Sequence, residues 1–311
     1  MKITIIQGAF LPVPALRGGA VEKRWQRLGV EFAAAGAGVT HLSRRCDSLA
    51  TAEIRDGVQY QRIRGFDTPK SLLWLKFLDG LYSLRVRRRL GHTDIVVTNT
   101  FWMPLLLRDE RKWGKVVVDF ARMPKGQVGF YKHVACIRVN SQAVKDAVLQ
   151  ECPKVAPIVR LIPNPLPFKP PDKIEFENKE KVLFYAGRLH PEKGLHLLAD
   201  AWRQLSPAFP EWRLEIAGPH STAHGGGGER YMRDLRQRFG DAAVRWHGAV
   251  NEAGALEQLY ARAGVFVYPS VAEKGETFGL APLEAMAYGA VPVVSALECF
   301  REFLKPDQNG L

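Results

Sequence analysis

Short apolar runs alternate with helical patterns along nearly the whole chain, and this alternation limits the possible folds more than any other feature. Strands separated by helices pair as parallel neighbours, because a tight turn cannot carry the chain back to the start of the next parallel strand. In the first half the strand candidates are 2–7, 39–43, 59–63, 94–98, 115–119, 135–139 and 158–162, with helical patterns over 19–35, 71–90 and 141–151. The segment 163–172 is proline-rich and reads as a linker. A second alternation follows, with strands at 182–186, 213–217, 243–247, 265–268 and 291–294 and helices at 195–205, 229–239, 255–262 and 282–288. The expected architecture is α/β, with two Rossmann-like domains facing each other across a cleft. Their expected bounds are 1–163 and 179–311, joined by a linker over 164–178. In open sheets of this kind, ligands sit at the carboxyl ends of the strands.

With 311 residues, 46% of them hydrophobic, the chain can bury one large core or two medium ones. Its net charge of +12 favours anionic partners such as phosphates, acidic glycans, anionic lipid or nucleic acid. Nucleic acid is the least supported of these, because the basic residues are dispersed and no aromatic RNA-reading motif is present. Cys46, Cys136, Cys152 and Cys299 lack disulfide or metal spacing, which suits a reducing, cytoplasmic setting. No Asp/His cluster has metal-ligand spacing, so neither a metal nor another cofactor is expected. The N-terminus runs straight into an apolar strand without a signal-peptide pattern, and no apolar run is long enough to span a bilayer.

The densest chemistry lies in Tyr268–Pro292, YPSVAEKGETFGLAPLEAMAYGAVP. Pro282 marks the first turn of a helix expected to start near Ala281, which places Glu284 in that turn and Glu276 in the preceding loop. The free N–H groups of Phe278, Gly279, Leu280 and Ala281 then face the helix mouth, which is an anion site. Two carboxylates beside an anion site fit a ligand whose phosphates are flanked by hydroxyls, such as a nucleotide-sugar.

The order P-S, E-x-F-G-L, L-E-A-M-A-x-G and P-V-V, with seven residues between Glu276 and Glu284, resembles the donor site of retaining glycosyltransferases of family 4, which have the GT-B fold. Gly187-Arg188 through Lys193-Gly194 resembles that family's G-R-x-x-x-x-K-G element. The resemblance implies transfer of a hexosyl group from a nucleoside-diphosphate sugar to a saccharide or lipid-linked acceptor, with retention, in glycan or glycolipid synthesis. It further implies that Glu284 holds the ribose and Glu276 the hexose hydroxyls. Phe278, Gly279 and Leu280 would present N–H groups to the donor, while Arg188 and Lys193 stabilise the leaving diphosphate. Arg17-Gly18-Gly19-Ala20 is similar to the family's glycine-rich loop beneath the donor phosphate and beside the acceptor, which implies a donor contact from Gly19 N–H at the helix mouth.

Two departures stand out. Asn99 occupies the place where the family often has a sugar-facing histidine, and an amide can hydrogen-bond there but cannot carry charge. The stretch LECFREF lacks the family's usual glycine pair, and the chain reads as C-terminally short of the expected further helix. A donor-binding pseudoenzyme is therefore the alternative to an enzyme. Arg122 and Lys125, just beyond the strand at 115–119, are placed by position alone at an acceptor site. Gly225–Gly228 reads as a flexible loop in preference to a phosphate cradle. Residues 71–89, apolar first and then arginine-rich, have two readings: a packing helix with a solvated basic end, which is preferred, or a helix lying on an anionic membrane.

Overall fold

The structure is a computed structural model that describes all 311 residues except Arg17, Gly18, Asn251 and Ala253. It divides into two compact units, Met1–Pro167 and Phe168–Leu311.

The first unit runs β1 (Lys2–Ile6), α1 (Ala20–Ala34), β2 (Gly38–Arg44), β3 (Ala52–Arg55), β4 (Val58–Ile63), α2 (Leu72–Arg87) and β5 (Ile95–Thr98). It continues with α3 (Met103–Leu106), α4 (Glu110–Trp113), β6 (Lys115–Phe120), β7 (Cys136–Val139), α5 (Gln142–Glu151) and β8 (Val159–Leu161). These strands form one sheet in the order β3-β4-β2-β1-β5-β6-β7-β8, parallel except for the β3–β4 pair. A parallel sheet is covered on both faces, which is why its strands are apolar at successive positions. Ile6, Val96, Val116 and Val118 enter the core on one face, while Ile5, Val97 and Val117 pack with Trp25 on the other.

β3 is absent from the strands expected from alternation. It is an edge strand with a polar sequence, and it is signalled instead by Asp56-Gly57, both with positive φ (51° and 76°). Asp-Gly in this conformation is the two-residue turn that matches hairpin twist.

The second unit runs β9 (Glu180–Ala186), α6 (Leu195–Leu205), β10 (Arg213–Ala217), α7 (Gly228–Phe239), β11 (Val244–Gly248), α8 (Ala255–Arg262), β12 (Ala263–Tyr268), α9 (Leu280–Ala287) and β13 (Val291–Val294). Its five parallel strands lie in the order β11-β10-β9-β12-β13. The chain reverses direction across the sheet between β11 and β12, so the carboxyl ends of β9 and β12 meet at a topological switch point, where such sheets bind ligands. Phe184, Tyr185, Trp202, Phe266 and Tyr268 anchor this unit's core.

Candidate functional site

The site grows from the loops that follow β9 and β12. After Tyr268 the chain folds back on itself: Ala272 carbonyl accepts from Gly275 N–H (3.0 Å) and Glu276 N–H (2.8 Å). This loop is tied to the one after β9, because Glu192 carbonyl accepts from Val271 N–H (2.9 Å) and Ser270 Oγ (3.3 Å). Gly194, in the left-handed region at φ 69°, lies so close to Pro269 carbonyl that no Cβ would fit. Two loops more than 70 residues apart in sequence are thereby held as one surface.

At its centre Lys193 Nζ donates to Glu276 Oε2 at 2.6 Å, with the two side chains 8% and 12% exposed. Tyr268 hydroxyl donates to the same oxygen at 3.0 Å, and its ring lies 5.4 Å from Lys193 Nζ. Burial, then the charge of Glu276, pushes Tyr268 well above its ordinary range, so the phenol stays protonated and acts as donor. Tyr185 stacks on Tyr268 with centroids 5.7 Å apart, which fixes the ring. Lys193 and Glu276, expected to meet different parts of a donor, form one buried ion pair in the protein.

Gly279 ends the loop at φ 75°, ψ 58° as the residue preceding α9, and a side chain there would overlap the Phe300 ring. Both the backbone conformation and the close approach require glycine. α9 starts at Leu280, one residue before the expected start, so Glu284 is its fifth residue and lies in the second turn rather than the first. Pro282 is its third residue, still within the turn whose N–H groups lack helical partners. Phe278 is buried against Phe303, with centroids 5.6 Å apart. Glu284 accepts a hydrogen bond from Tyr260 hydroxyl at 2.9 Å. Burial, and then Glu284, raises Tyr260 well above its usual range, so α8 supplies a fixed donor that orients this carboxylate.

Arg188 is half-exposed and engaged with the protein: Nη1 donates to Gly225 carbonyl (2.5 Å) and Nη2 to Glu192 Oε1 (2.8 Å). The glycine tract is not the flexible loop expected from its composition. Gly226 N–H donates to Ser221 carbonyl, Gly227 N–H to Leu189 carbonyl and Gly228 N–H to His220 carbonyl, at 2.7–2.9 Å. Close packing on His220 leaves no room for a side chain at Gly226, so the tract is a folded turn that seats Arg188. At the end of β11, His247 Nε2 lies 2.6 Å from Glu215 Oε2. Glu215 is fully buried and also accepts from Arg213 and Arg262.

In the first unit, Gly19, Asn99, Arg122 and Lys125 all follow the carboxyl ends of parallel strands, namely β1, β5 and β6. Arg17 and Gly18 of the glycine-rich loop lie outside the described residues. Gly19 caps α1 at φ 113°, and Glu22 folds its carboxylate back over it, where a Cβ would collide. Burial raises the Glu22 pKa, and the backbone N–H of Glu22 and the charges of Arg122 and Arg24 offset part of that rise. The α1 mouth, expected to be open to a phosphate, therefore holds the protein's own carboxylate. A glutamate three residues after the cap is the position from which such side chains reach back, so the signal was available in the sequence.

Asn99 Nδ2 donates to Gln7 Oε1 at 3.3 Å, while its buried Oδ1 has no hydrogen-bond partner among the described residues. Arg122 and Lys125 are exposed. Behind them Asp119 accepts from Arg24, from Trp25 Nε1 (2.8 Å) and from Arg138 Nη1 (2.8 Å). Asn164 Oδ1 accepts from Arg24 Nη1 (2.7 Å) and Arg138 Nη2 (2.8 Å). Among the described residues no group of three or more His, Cys, Asp or Glu could hold a metal ion, and no helix is long and apolar enough to cross a membrane.

Residues 169–311 match the family model of glycosyl transferases group 1. The chain is 32% identical over 138 aligned residues to phosphatidyl-myo-inositol mannosyltransferase of Mycobacterium tuberculosis. That match covers 43% of this chain and 33% of the relative, so the chain spans about a third of its length. The putative glycosyltransferase YtcC of Bacillus subtilis is 25% identical over 340 aligned positions, covering all of this chain and 79% of YtcC. Among solved structures, Anabaena HepE in complex with UDP and glucose superposes with a TM-score of 0.70 at 18% identity, over 100% of this chain and 85% of HepE. The chain thus has the GT-B fold, and its second unit matches the glycosyl transferases group 1 model.

Proposed function

We propose that the protein transfers a hexosyl group from a nucleoside-diphosphate sugar to an acceptor hydroxyl with retention of anomeric configuration. The reading is carried by the buried Lys193–Glu276 pair, with Glu276 in the loop that leads into α9 and Glu284 in that helix. The N-terminal N–H groups of α9 and the Lys193 ammonium meet the diphosphate. Both stabilise the negative charge that builds on it as the bond to the anomeric carbon breaks. Arg188 adds a second cation at the rim. Glu284, oriented by Tyr260, holds the ribose hydroxyls, and Glu276 accepts from the hexose hydroxyls while it fixes Lys193.

The acceptor attacks from the face the diphosphate leaves, and the departing phosphate oxygen takes the acceptor's proton. This proposal uses no metal, so activity in excess EDTA is expected to match the untreated protein. The matched mannosyltransferase bears the name of a phosphatidylinositol substrate, which supports a lipid-linked acceptor; a saccharide acceptor and a cytoplasmic setting are part of the same proposal. Gly19, Asn99, Arg122 and Lys125 lie on the first unit, and of these Arg122 and Lys125 are the residues proposed for the acceptor.

The test is calorimetric titration of UDP, GDP and ADP, and their sugars, into wild type and Glu284→Ala. Binding of one nucleotide that is lost in the variant, followed by product formation with that donor, supports the reading. Binding without transfer or donor hydrolysis would instead make the chain a donor-binding protein. A glycosyl-enzyme trapped on Glu276 would overturn the proposed same-face attack.

A further inference from the structure

The helix α2 turns large apolar side chains outward. Its inward face carries Asp79, Tyr82, Ser83 and Val86, all buried, while its outward face carries Leu73, Trp74 and Phe77 at 80%, 59% and 54% exposure, followed by exposed Leu84. The spacing 73, 77, 84 and 88 runs along one side of a helix, so the apolar residues form a stripe that ends at Arg88. Tyr82 hydroxyl and Ser83 Oγ are buried without hydrogen-bond partners among the described residues. Burying those hydroxyls while exposing a tryptophan and a phenylalanine is the reverse of what water alone selects. α2 packs on the core and has a solvated basic end, as expected, but its outward face is apolar instead of polar.

The patch extends beyond the helix. Trp74 and Phe77 meet edge to face at 5.5 Å. Lys76 Nζ sits 4.9 Å over the Phe101 ring, and Phe101 abuts the exposed Phe130 at 6.4 Å. Cations stand at both ends of the stripe: Lys70 before the helix, and exposed Arg87, Arg88 and Arg89 at its close. The one acidic residue between positions 70 and 89 is Asp79, which is buried facing the opposite way.

We propose that this face of α2 docks the protein on an anionic lipid bilayer, with Leu73, Trp74 and Phe77 inserted at the headgroup boundary and the flanking lysine and arginines on lipid phosphates. Charge complementarity selects this occupant. A second copy of the chain would bring the same arginines and a net charge of +12 to the same contact. A helix of 16 residues is about 24 Å long and lies in the interface plane rather than across the membrane. The inference stands on the surface itself and does not depend on the proposed catalytic activity.

The test is co-sedimentation of the full chain with vesicles of phosphatidylcholine alone and of phosphatidylcholine mixed with phosphatidylglycerol, at low and high salt. Wild type is expected to bind the anionic vesicles, to release with salt and to ignore the neutral ones. Leu73→Ser/Trp74→Ser/Phe77→Ser should weaken binding at least tenfold with an unchanged melting temperature. Arg88→Glu/Arg89→Glu should weaken it by about fivefold or more for each charge removed. Absence of wild-type binding, or equal binding by wild type and the apolar triple variant, overturns the proposal. So does a concentration-dependent dimer that the triple variant abolishes while vesicle binding is absent, which would assign the patch to self-association.

Discussion

Replacing Glu276 with alanine leaves the Lys193 ammonium in a site where its side chain is 8% exposed, facing the Tyr268 ring in place of a carboxylate. Removing one member of a buried, hydrogen-bonded ion pair costs roughly 3–5 kcal/mol, because the remaining charge keeps its desolvation penalty without its partner. For a unit of this size that corresponds to a melting temperature lower by about 10 °C. Replacing both members with apolar residues of similar volume removes the charge and its penalty together, so Lys193→Met/Glu276→Leu is expected to be nearly as stable as wild type. Chemical denaturation of wild type, Lys193→Met, Glu276→Leu and the double variant closes a thermodynamic cycle; with each single variant losing roughly 3–5 kcal/mol and the double variant little, the expected coupling is about 6–10 kcal/mol. Nucleotide titration of the same four proteins separates folding from function: the double variant should be stable yet should not bind the donor. Single variants that each lose under about 1 kcal/mol, with additive effects, would refute the view that the pair is a buried, mutually dependent unit.

Three further outcomes are expected. Gly279→Ala forces a Cβ into the left-handed region and onto Phe300, and should destabilise by about 2–4 kcal/mol by chemical denaturation; adding Phe300→Ala should relieve the overlap but not the backbone strain. Burial raises Asp79 to about 6, despite hydrogen bonds from Phe101 and Trp102 N–H, so the folded protein holds that proton more tightly than the unfolded chain. Stability should therefore fall as pH rises from about 4 to about 6, by roughly 2–3 kcal/mol relative to Asp79→Asn, and parallel pH profiles for the two proteins would refute this. Glu215 is pushed up by burial, yet hydrogen bonds from Arg213 and His247 and the charge of Arg262 bring it below the ordinary range. Its contribution is present above the unfolded glutamate pKa of about 4.3 and is lost as pH falls below it, so Glu215→Gln should show a flatter acid limb in pH-dependent melting.

The alternation of apolar runs and helical patterns carried most of the architecture, because parallel strands covered on both faces are apolar at successive positions, as in Ile5-Ile6 and Val116–Val118. Local chemistry placed the start of α9 within one residue, since Gly279 and Pro282 act through their own backbone constraints. The edge strand β3 was missed because its one outward sign was the Asp56-Gly57 turn rather than hydrophobicity.

What the tertiary structure alone decided are contacts between residues distant in sequence. Lys193 and Glu276 could each be singled out from their neighbours, but their pairing follows from two loops locked together through Glu192, Gly194 and Pro269. Tyr260 reaches Glu284 from another helix, and Gly225 seats Arg188 from 37 residues away. Which face of α2 turns outward was likewise not legible. Periodicity defines the stripe that holds Leu73 and Phe77, but only packing against the sheet decides which side of a helix meets the core, and here Asp79, Tyr82 and Ser83 take that side.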